Sequence, residues 1–399
     1  MNASFLENLR HGDRARLLKG LWLLALAVGA LGLFQRLFYG DQAAGFGSYV
    51  PWGLWVAAYT YFSGLAAGAF LLAAGIRVFN IRALEPIAKL CLFASFITLA
   101  LGLITIGLDL GHMERALLVL LRPQFHSMMA WMVWLYTAYL ILLVLLLRRS
   151  LRPGPAGSDD AGKTPGLMLA GIPLVIGFAG GVGALFGTVA AREYWHSSLF
   201  PVFFLAGALT SGAALVTALT AWLWPGRDEA WKEMVQLLGR IVLGLVLLEC
   251  VLEFAEFTIP AWYGVGSGFE LVWYVLFGPY WYVFWIFHLG LGVAVPLYLL
   301  ARRPEPKDVG LAAALVTVMF FAVRLNLVIP GLIVPELRGL EQAYTDPVGG
   351  KLSFAYLPSL FEWQILIGVV AVGVALWLAG TKRFPNVFPS PSQSSEVKS

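Results

Sequence analysis

Ionisable side chains crowd one short stretch of this 399-residue chain, LDLGHMERALLVLLRPQFHSMMAW at residues 108–131, among them Asp109, His112, Glu114, Arg115 and His126. Long apolar runs flank it on both sides. These groups therefore lie at the lip of a hydrocarbon layer, where an ionisable residue is costly to keep and marks a functional site by default. Asp109 and His112 share a helical face if the helix runs on past the aspartate. A carboxylate beside an imidazole exchanges protons near neutral pH, which makes this pair the candidate catalytic centre. Glu249, Glu253 and Glu256 fall at i, i+4 and i+7, a single helical stripe. Like charges on one face repel and call for a partner, which Arg324 or Arg192 would supply. The stretch AREYWHSS adds Arg192, Glu193 and His196. His126, directly before Ser127, reads as an anchor at a helix start, and His288 as a core histidine.

The elements that position these groups follow from composition. The chain is 59% hydrophobic and 13% charged, with mean hydropathy +0.79, against roughly 45–50% apolar and 25% charged in soluble proteins. It is an all-α integral membrane protein. A helical span takes about 20 apolar residues. Ten such spans are expected, near 17–38, 52–79, 86–109, 126–147, 167–190, 198–224, 232–257, 270–301, 308–330 and 358–380. The first follows the basic residues Arg10, Arg14, Arg16 and Lys19, yet its apolar run is too long for a cleaved signal and reads as a retained anchor.

Orientation comes from the positive residues of alternate connections. Nineteen of the 27 Lys and Arg fall on the side of the two termini, six on the other (Arg36, Arg115, Arg122, Arg192, Arg338 and Lys351), and Arg240 and Arg324 lie within spans. Both termini are thus expected in the cytoplasm of a bacterium, its inner membrane being crossed many times. The candidate groups gather beneath the opposite, outer leaflet. The net charge of +4 reflects this bias and implies no nucleic-acid partner.

Spans two and six carry matching small-residue patterns, Ser63-Gly64 and Ser211-Gly212, each followed by paired alanines. Small residues let helix backbones approach closely. The match suggests two parallel four-helix bundles related by an axis along the membrane normal. The expected divisions are an N-terminal segment 1–16, a first anchor 17–38, a first bundle 52–151, a linker 152–166, a second bundle 167–330, an outer loop 331–357, a last helix 358–380 and a tail 381–399. RPGPAGSDDAGKTPG marks the linker, and the outer loop contains Pro335, Arg338, Tyr344 and Pro347.

A quinone site needs an apolar cleft, hydrogen bonds to two ring oxygens and a group that exchanges protons as electrons move. Asp109 and His112 meet the last requirement. The chain itself shows no redox centre. Cys91 and Cys250 are its only cysteines, too few for an iron–sulfur cluster. Of five histidines, His11 lies in the N-terminal segment, His112, His126 and His196 crowd the outer lip, and only His288 is deeper. Stacked haems need axial ligands at two depths, so they are excluded; the ligand count leaves one outer haem open, and otherwise electrons would leave through a partner on the outer face.

PWGLW and SGLAAGAF in span two, DLGH and HSMMAW at the next lip, WHSSLFPVFFLAGALTSGAAL at span six and YLPSLFEW before the last span together resemble the polysulfide-reductase membrane-subunit, or NrfD-like, family. The resemblance covers the whole chain and is nearest the ten-span branch of hydrogenase, sulfite-reduction-associated and molybdopterin-oxidoreductase complexes. It implies a haem-free subunit that reacts with quinone, menaquinone or ubiquinone, in the first bundle near the outer face. The implied partners are a ferredoxin-like iron–sulfur subunit and, beyond it, a catalytic subunit or multihaem cytochrome. Some members have a histidine in span two where Tyr59 falls. Tyr59 donates a hydrogen bond but accepts a proton poorly, so Asp109 or His112 would carry the proton. On this reading Tyr59, Asp109, His112, Arg192 and His196 form the quinone site, with Arg192 and His196 closing the lip. Glu249, Glu253, Glu256 and Arg324 form a proton path or a second-bundle site. The alternatives are a secondary transporter, which would place its polar groups near the midplane, and a non-catalytic anchor of a complex.

Overall fold

The computed structural model describes residues 3–122, 124–151, 165–264, 266–302, 304–335, 339 and 354–388. Among the described residues ten helices are long and apolar enough to cross a membrane. They are α1 (Ala3–Tyr39), α2 (Leu54–Val78), α3 (Ala88–Asp109), α4 (Met128–Leu151), α5 (Pro165–Gly187), α6 (Phe200–Leu223), α7 (Glu229–Tyr263), α8 (Val283–Ala301), α9 (Pro306–Val328) and α10 (Leu360–Arg383). Short helices lie between them, notably Gly266–Phe277. The end at which α2 begins is called outer, following the charge count. Most of the linker, and Arg338, Tyr344, Pro347 and the last residues of the tail, lie outside the described residues.

Helix ends follow local chemistry. Asp228 accepts a bond from the Trp231 N–H at 2.9 Å and starts α7, and Gly264, at φ 63°, ends it in the left-handed conformation. Glu305 and Asp308 form a capping box at α9, as Ser359 and Glu362 do at α10. The YLPSLFEW motif is thus first a helix-start signal.

α2 is the central element, buried along most of its length and packed on α3, α5, α6 and α9. The parallel helices α2 and α6 touch through glycine. A Cβ on Gly68 would run into the Ala208 carbonyl oxygen, and one on Gly212 would lie 2.6 Å from Gly68 Cα. The contacting pair is therefore Gly68 with Gly212. α1, largely exposed, leans on α10 where Gly29 and Gly368 meet. Its exposed Leu and Phe side chains suit contact with lipid.

One predicted span is corrected. The apolar run 270–301 is not one helix. It breaks at Gly278-Pro279 into the short helix Gly266–Phe277 and α8. Gly278 has no room for a side chain, since a Cβ would run into the Tyr274 carbonyl oxygen. The first twelve residues of α8, Val283–Ala294, are π-helical. Pro296 follows, and a proline removes a helical N–H and crowds the preceding turn; wider turns before it accommodate both effects. As a consequence His288 is the sixth residue of α8, near its outer start, rather than at mid-depth.

Candidate functional site

Polar groups gather at two places near the outer end. On the α2–α5 side, Tyr59 lies about 8 Å below the start of α2 and is buried with Tyr136 of α4. The Tyr136 hydroxyl donates to the Tyr59 oxygen at 2.5 Å, and the Tyr136 oxygen lies 3.1 Å from Ser63 Oγ. A hydroxyl has one hydrogen. With that of Tyr136 committed to Tyr59, Ser63 is the donor to Tyr136, and the chain Ser63, Tyr136, Tyr59 leaves the Tyr59 hydrogen directed beyond it. One turn deeper, the Tyr139 and Ser95 hydroxyls lie 2.6 Å apart and both reach the Ala66 carbonyl, so that one donates to it and the other to its hydroxyl neighbour.

Asp109 closes α3 at the outer end. Its Oδ1 is buried and has no hydrogen-bond partner among the described residues. Arg36 of α1 stands beside it and spends its guanidinium on the end of α3, donating to the carbonyls of Leu108 and Leu110, each at 2.7 Å. Charge counting gave Arg36 only a topological role; the structure buries it at 3% exposure. Glu362, fully buried, accepts from the Tyr356 hydroxyl at 2.9 Å and from the Ser359 N–H at 2.9 Å. The same Tyr356 oxygen accepts from the Leu54 N–H at 2.7 Å. Burial and the adjoining Glu362 carboxylate push the Tyr356 phenol above its usual range. Gly53 is required there, since a Cβ would run into the Tyr356 oxygen. The Trp55 indole N–H donates to the Glu362 carbonyl at 3.0 Å. PWGLW and YLPSLFEW are therefore two halves of one clamp.

The structure does not bring His112 to Asp109. α3 stops at Asp109 because Leu110 is extended at ψ 123°, so the shared face expected for the pair does not form. His112 is 65% exposed and binds Glu114 Oε1 at 2.9 Å, and Arg115 Nε lies 3.7 Å from the same oxygen. The Glu114 backbone N–H and the His112 ring hold this carboxyl below its usual range. Arg192 and His196 also hold helix ends. Arg192 donates to the Leu332 carbonyl at 3.2 Å, and His196 Nδ1 bonds the Gly187 carbonyl at 2.9 Å at the end of α5. Between them Trp195 stacks on Trp52 and donates to the Leu327 carbonyl at 2.8 Å. His126 is exposed, and the neighbouring Ser127 hydroxyl accepts from the Ala130 N–H at 3.4 Å at the start of α4.

On the α6–α9 side the carboxylate stripe of α7 faces a cavity. Two small adjoining spaces share Glu253, His288 and Val323 in their walls. The outer one adds Glu256, Asn326 and Tyr194 to an apolar wall rich in phenylalanine, and the inner one adds Glu249 and Thr210. His288 Nε2 lies 3.1 Å from Glu253 Oε1. Arg324 does not pair with Glu253 or Glu256. Its guanidinium lies over the Phe204 ring at 4.3 Å, near Glu249 and against Gly207 and Gly64 at the α2/α6 seam. His288 joins the site because the break at Gly278-Pro279 raises it to the level of Glu253. That dipeptide, a strong turn signal, is the feature of the sequence from which this position follows. Among the described residues no group of three or more His, Cys, Asp or Glu side chains is placed to hold a metal ion.

Fold and site together define a ten-helix membrane protein whose buried ionisable groups cluster toward one end. Residues 44–336 match the family described as polysulphide reductase, NrfD, and the chain belongs to that family, as its motifs suggest. It is 32% identical to a selenate reductase subunit of Mesobacillus selenatarsenatis, covering 92% of this chain and 95% of that one. It is 27% identical to the Hdr-like menaquinol oxidoreductase integral membrane subunit of Archaeoglobus fulgidus (91% and 92% covered), and 25% identical to the menaquinone reductase integral membrane subunit of Nitratidesulfovibrio vulgaris (92% and 90% covered). The protein is thus related to membrane subunits of several oxidoreductases.

Proposed function

We propose that this chain is the quinone-reactive, haem-free membrane subunit of a respiratory oxidoreductase complex, exchanging electrons between the quinone pool and an iron–sulfur subunit docked on its outer face. Both termini lie in the cytoplasm on this reading, and α2–α5 and α6–α9 are its two bundles. Two of the relatives are named for menaquinol or menaquinone.

The observation that carries the proposal is the unpartnered, buried Oδ1 of Asp109 at the same end as the Tyr59 hydroxyl, which accepts from Tyr136 and keeps its own hydrogen to donate. One is an acceptor for a ring hydroxyl and the other a donor for a ring carbonyl, the complementary needs of quinol and quinone. The ring supplies the redox chemistry when bound. Tyr59, backed by Tyr136 and Ser63, fixes one oxygen, and Asp109 takes up or returns the proton at its Oδ1. Arg36 holds the end of α3, and so Asp109, in place. His112 belongs instead to the exposed connection between α3 and α4. There Leu117, Leu121 and Phe125, each at least 66% exposed, lie close to the charged trio His112, Glu114 and Arg115. An apolar surface rimmed by charge suits a docked partner.

Photolabelling the assembled complex with an azido-quinone tests the proposal. Label is expected in peptides from the outer ends of α2, α3 and α4. A complex that turns over quinone yet leaves this chain unlabelled would overturn it.

A further inference from the structure

The two small spaces between α6, α7, α8 and α9 are lined by more polar atoms than the protein pairs. His288, Asn326 and Glu249 are 5%, 7% and 6% exposed. His288 lines both spaces, Asn326 the outer one and Glu249 the inner one. His288 Nδ1, Asn326 Nδ2 and Glu249 Oε1 have no hydrogen-bond partner among the described residues. Their needs differ. With Nε2 facing Glu253 Oε1 at 3.1 Å, the imidazole offers Nδ1 as an acceptor, while the Asn326 amide donates and the Glu249 carboxylate accepts. Water both donates and accepts, and it is the usual partner of buried polar atoms that the chain leaves unmet. Each space has room for about one water molecule. At the outer end Glu256 is only half-buried, so the outer space reaches the surface of the helix bundle beside it. At the inner end Val242, Val246, Leu300, Val309 and Val316 pack as a buried apolar layer.

We propose that the two spaces hold ordered water, and that Glu256, Glu253 and Glu249 form with it a blind proton well, open to the outer side and closed below by that apolar layer. Glu253 lines both spaces and so joins the two waters. His288 holds Glu253 through Oε1 and acts as a positioning residue. Arg324 stands near Glu249. One guanidinium balances one carboxylate, and a buried charge is kept only when it is paired, so the deep carboxylates Glu249 and Glu253 hold one proton between them. That proton enters at Glu256, passes through the outer water to Glu253 and through the inner water to Glu249. At each hop one O–H bond breaks as the next forms, and no electron moves. The well exchanges protons with one side and carries none across. It does not depend on the quinone reading, since nothing in it requires a ring at α2–α5.

Two measurements on the detergent-solubilised native complex test this. X-ray radiolysis in water labelled at its oxygen marks side chains that touch bound water. Label is expected at His288 and Met319, which line the inner space, and should disappear in Val323→Phe, whose ring fills the junction of the two spaces. Infrared spectroscopy in deuterium oxide then follows the carboxylic-acid C=O band that the double variant Glu249→Gln, Glu253→Gln lacks. Its deuterium shift should be about a hundredfold slower in Glu256→Gln, the low end of what a positioned proton-transfer group contributes. Glu256 is half-buried at the mouth and Gln keeps its shape, so this variant retains the fold even where Val323→Phe does not. Unlabelled His288 and Met319 would mean dry spaces. A missing band, or a band whose exchange ignores Glu256→Gln, would mean that no relay runs through the mouth. Any of these results overturns the proposal, and none of them touches the α2–α5 site.

Discussion

The two outer regions bury polar groups in opposite ways. On the α2–α5 side, the side chains beneath Asp109 are neutral hydroxyls that satisfy one another: Ser63 with Tyr136, Tyr136 with Tyr59, and Tyr139 with Ser95. On the α6–α9 side the groups are ionisable, they surround small spaces, and atoms of Glu249, His288, Arg324 and Asn326 have no hydrogen-bond partner among the described residues. Hydroxyls both donate and accept, so a short chain of them closes on itself at little cost inside a membrane. Carboxylates only accept and guanidinium groups only donate, so a charged cluster stays incomplete unless the two are matched atom for atom. The first arrangement aims one hydrogen bond accurately; the second holds a space open.

Each substitution below separates the two regions or ties them together. The largest effect is expected at their seam. Gly68→Val drives a side chain into the Ala208 backbone and should cost about 3 kcal/mol, the upper range for forced overpacking. It is read as a fall in thermal midpoint of the purified complex, and an unchanged midpoint would mean that α2 and α6 are not locked together there. Next, Asp109→Asn keeps the shape of the side chain but not its proton exchange. It should lower quinol-dependent turnover about a hundredfold, the low end of general acid–base contributions. If Glu253→Gln causes the larger loss instead, the chemistry belongs to the cavity. Tyr59→Phe removes a single neutral hydrogen bond and should raise the quinone Kd about fivefold, measured by inhibitor displacement; no change would detach the hydroxyl chain from the ring. The smallest effect is assigned to His112→Ala, where turnover should stay within about twofold because an exposed ion pair contributes little. The pair outlasts an ordinary carboxylate as pH falls, since Glu114 is held below its usual range.

The spans and the family were legible because length and hydropathy are properties of the chain, and ten helices stand near their predicted places. Asp109 was legible as a polar residue at an apolar edge. Its pairing with His112 was not, because the end of α3 is set by the extended Leu110 and by Arg36 reaching across from α1. No local periodicity encodes that contact. Tyr136 looked like one aromatic residue among many; only the packing of α4 against α3 and α5 brings it to Tyr59. The carboxylate stripe was visible as spacing. Its histidine partner was misplaced in depth by treating residues 270–301 as one helix, although Gly278-Pro279 marked the break.

The clamp at the outer start of α2 has a consequence for synthesis. The Leu54 N–H and the Tyr356 oxygen that receives it are 302 residues apart. The innermost helix therefore leaves the ribosome early and waits, its first turn unfastened, until the final span is delivered. A translation arrest placed just before residue 354 should strand a nascent protein whose α2 is inserted but whose outer mouth stays open to protease. Completing the last few dozen residues should shut it in a single step.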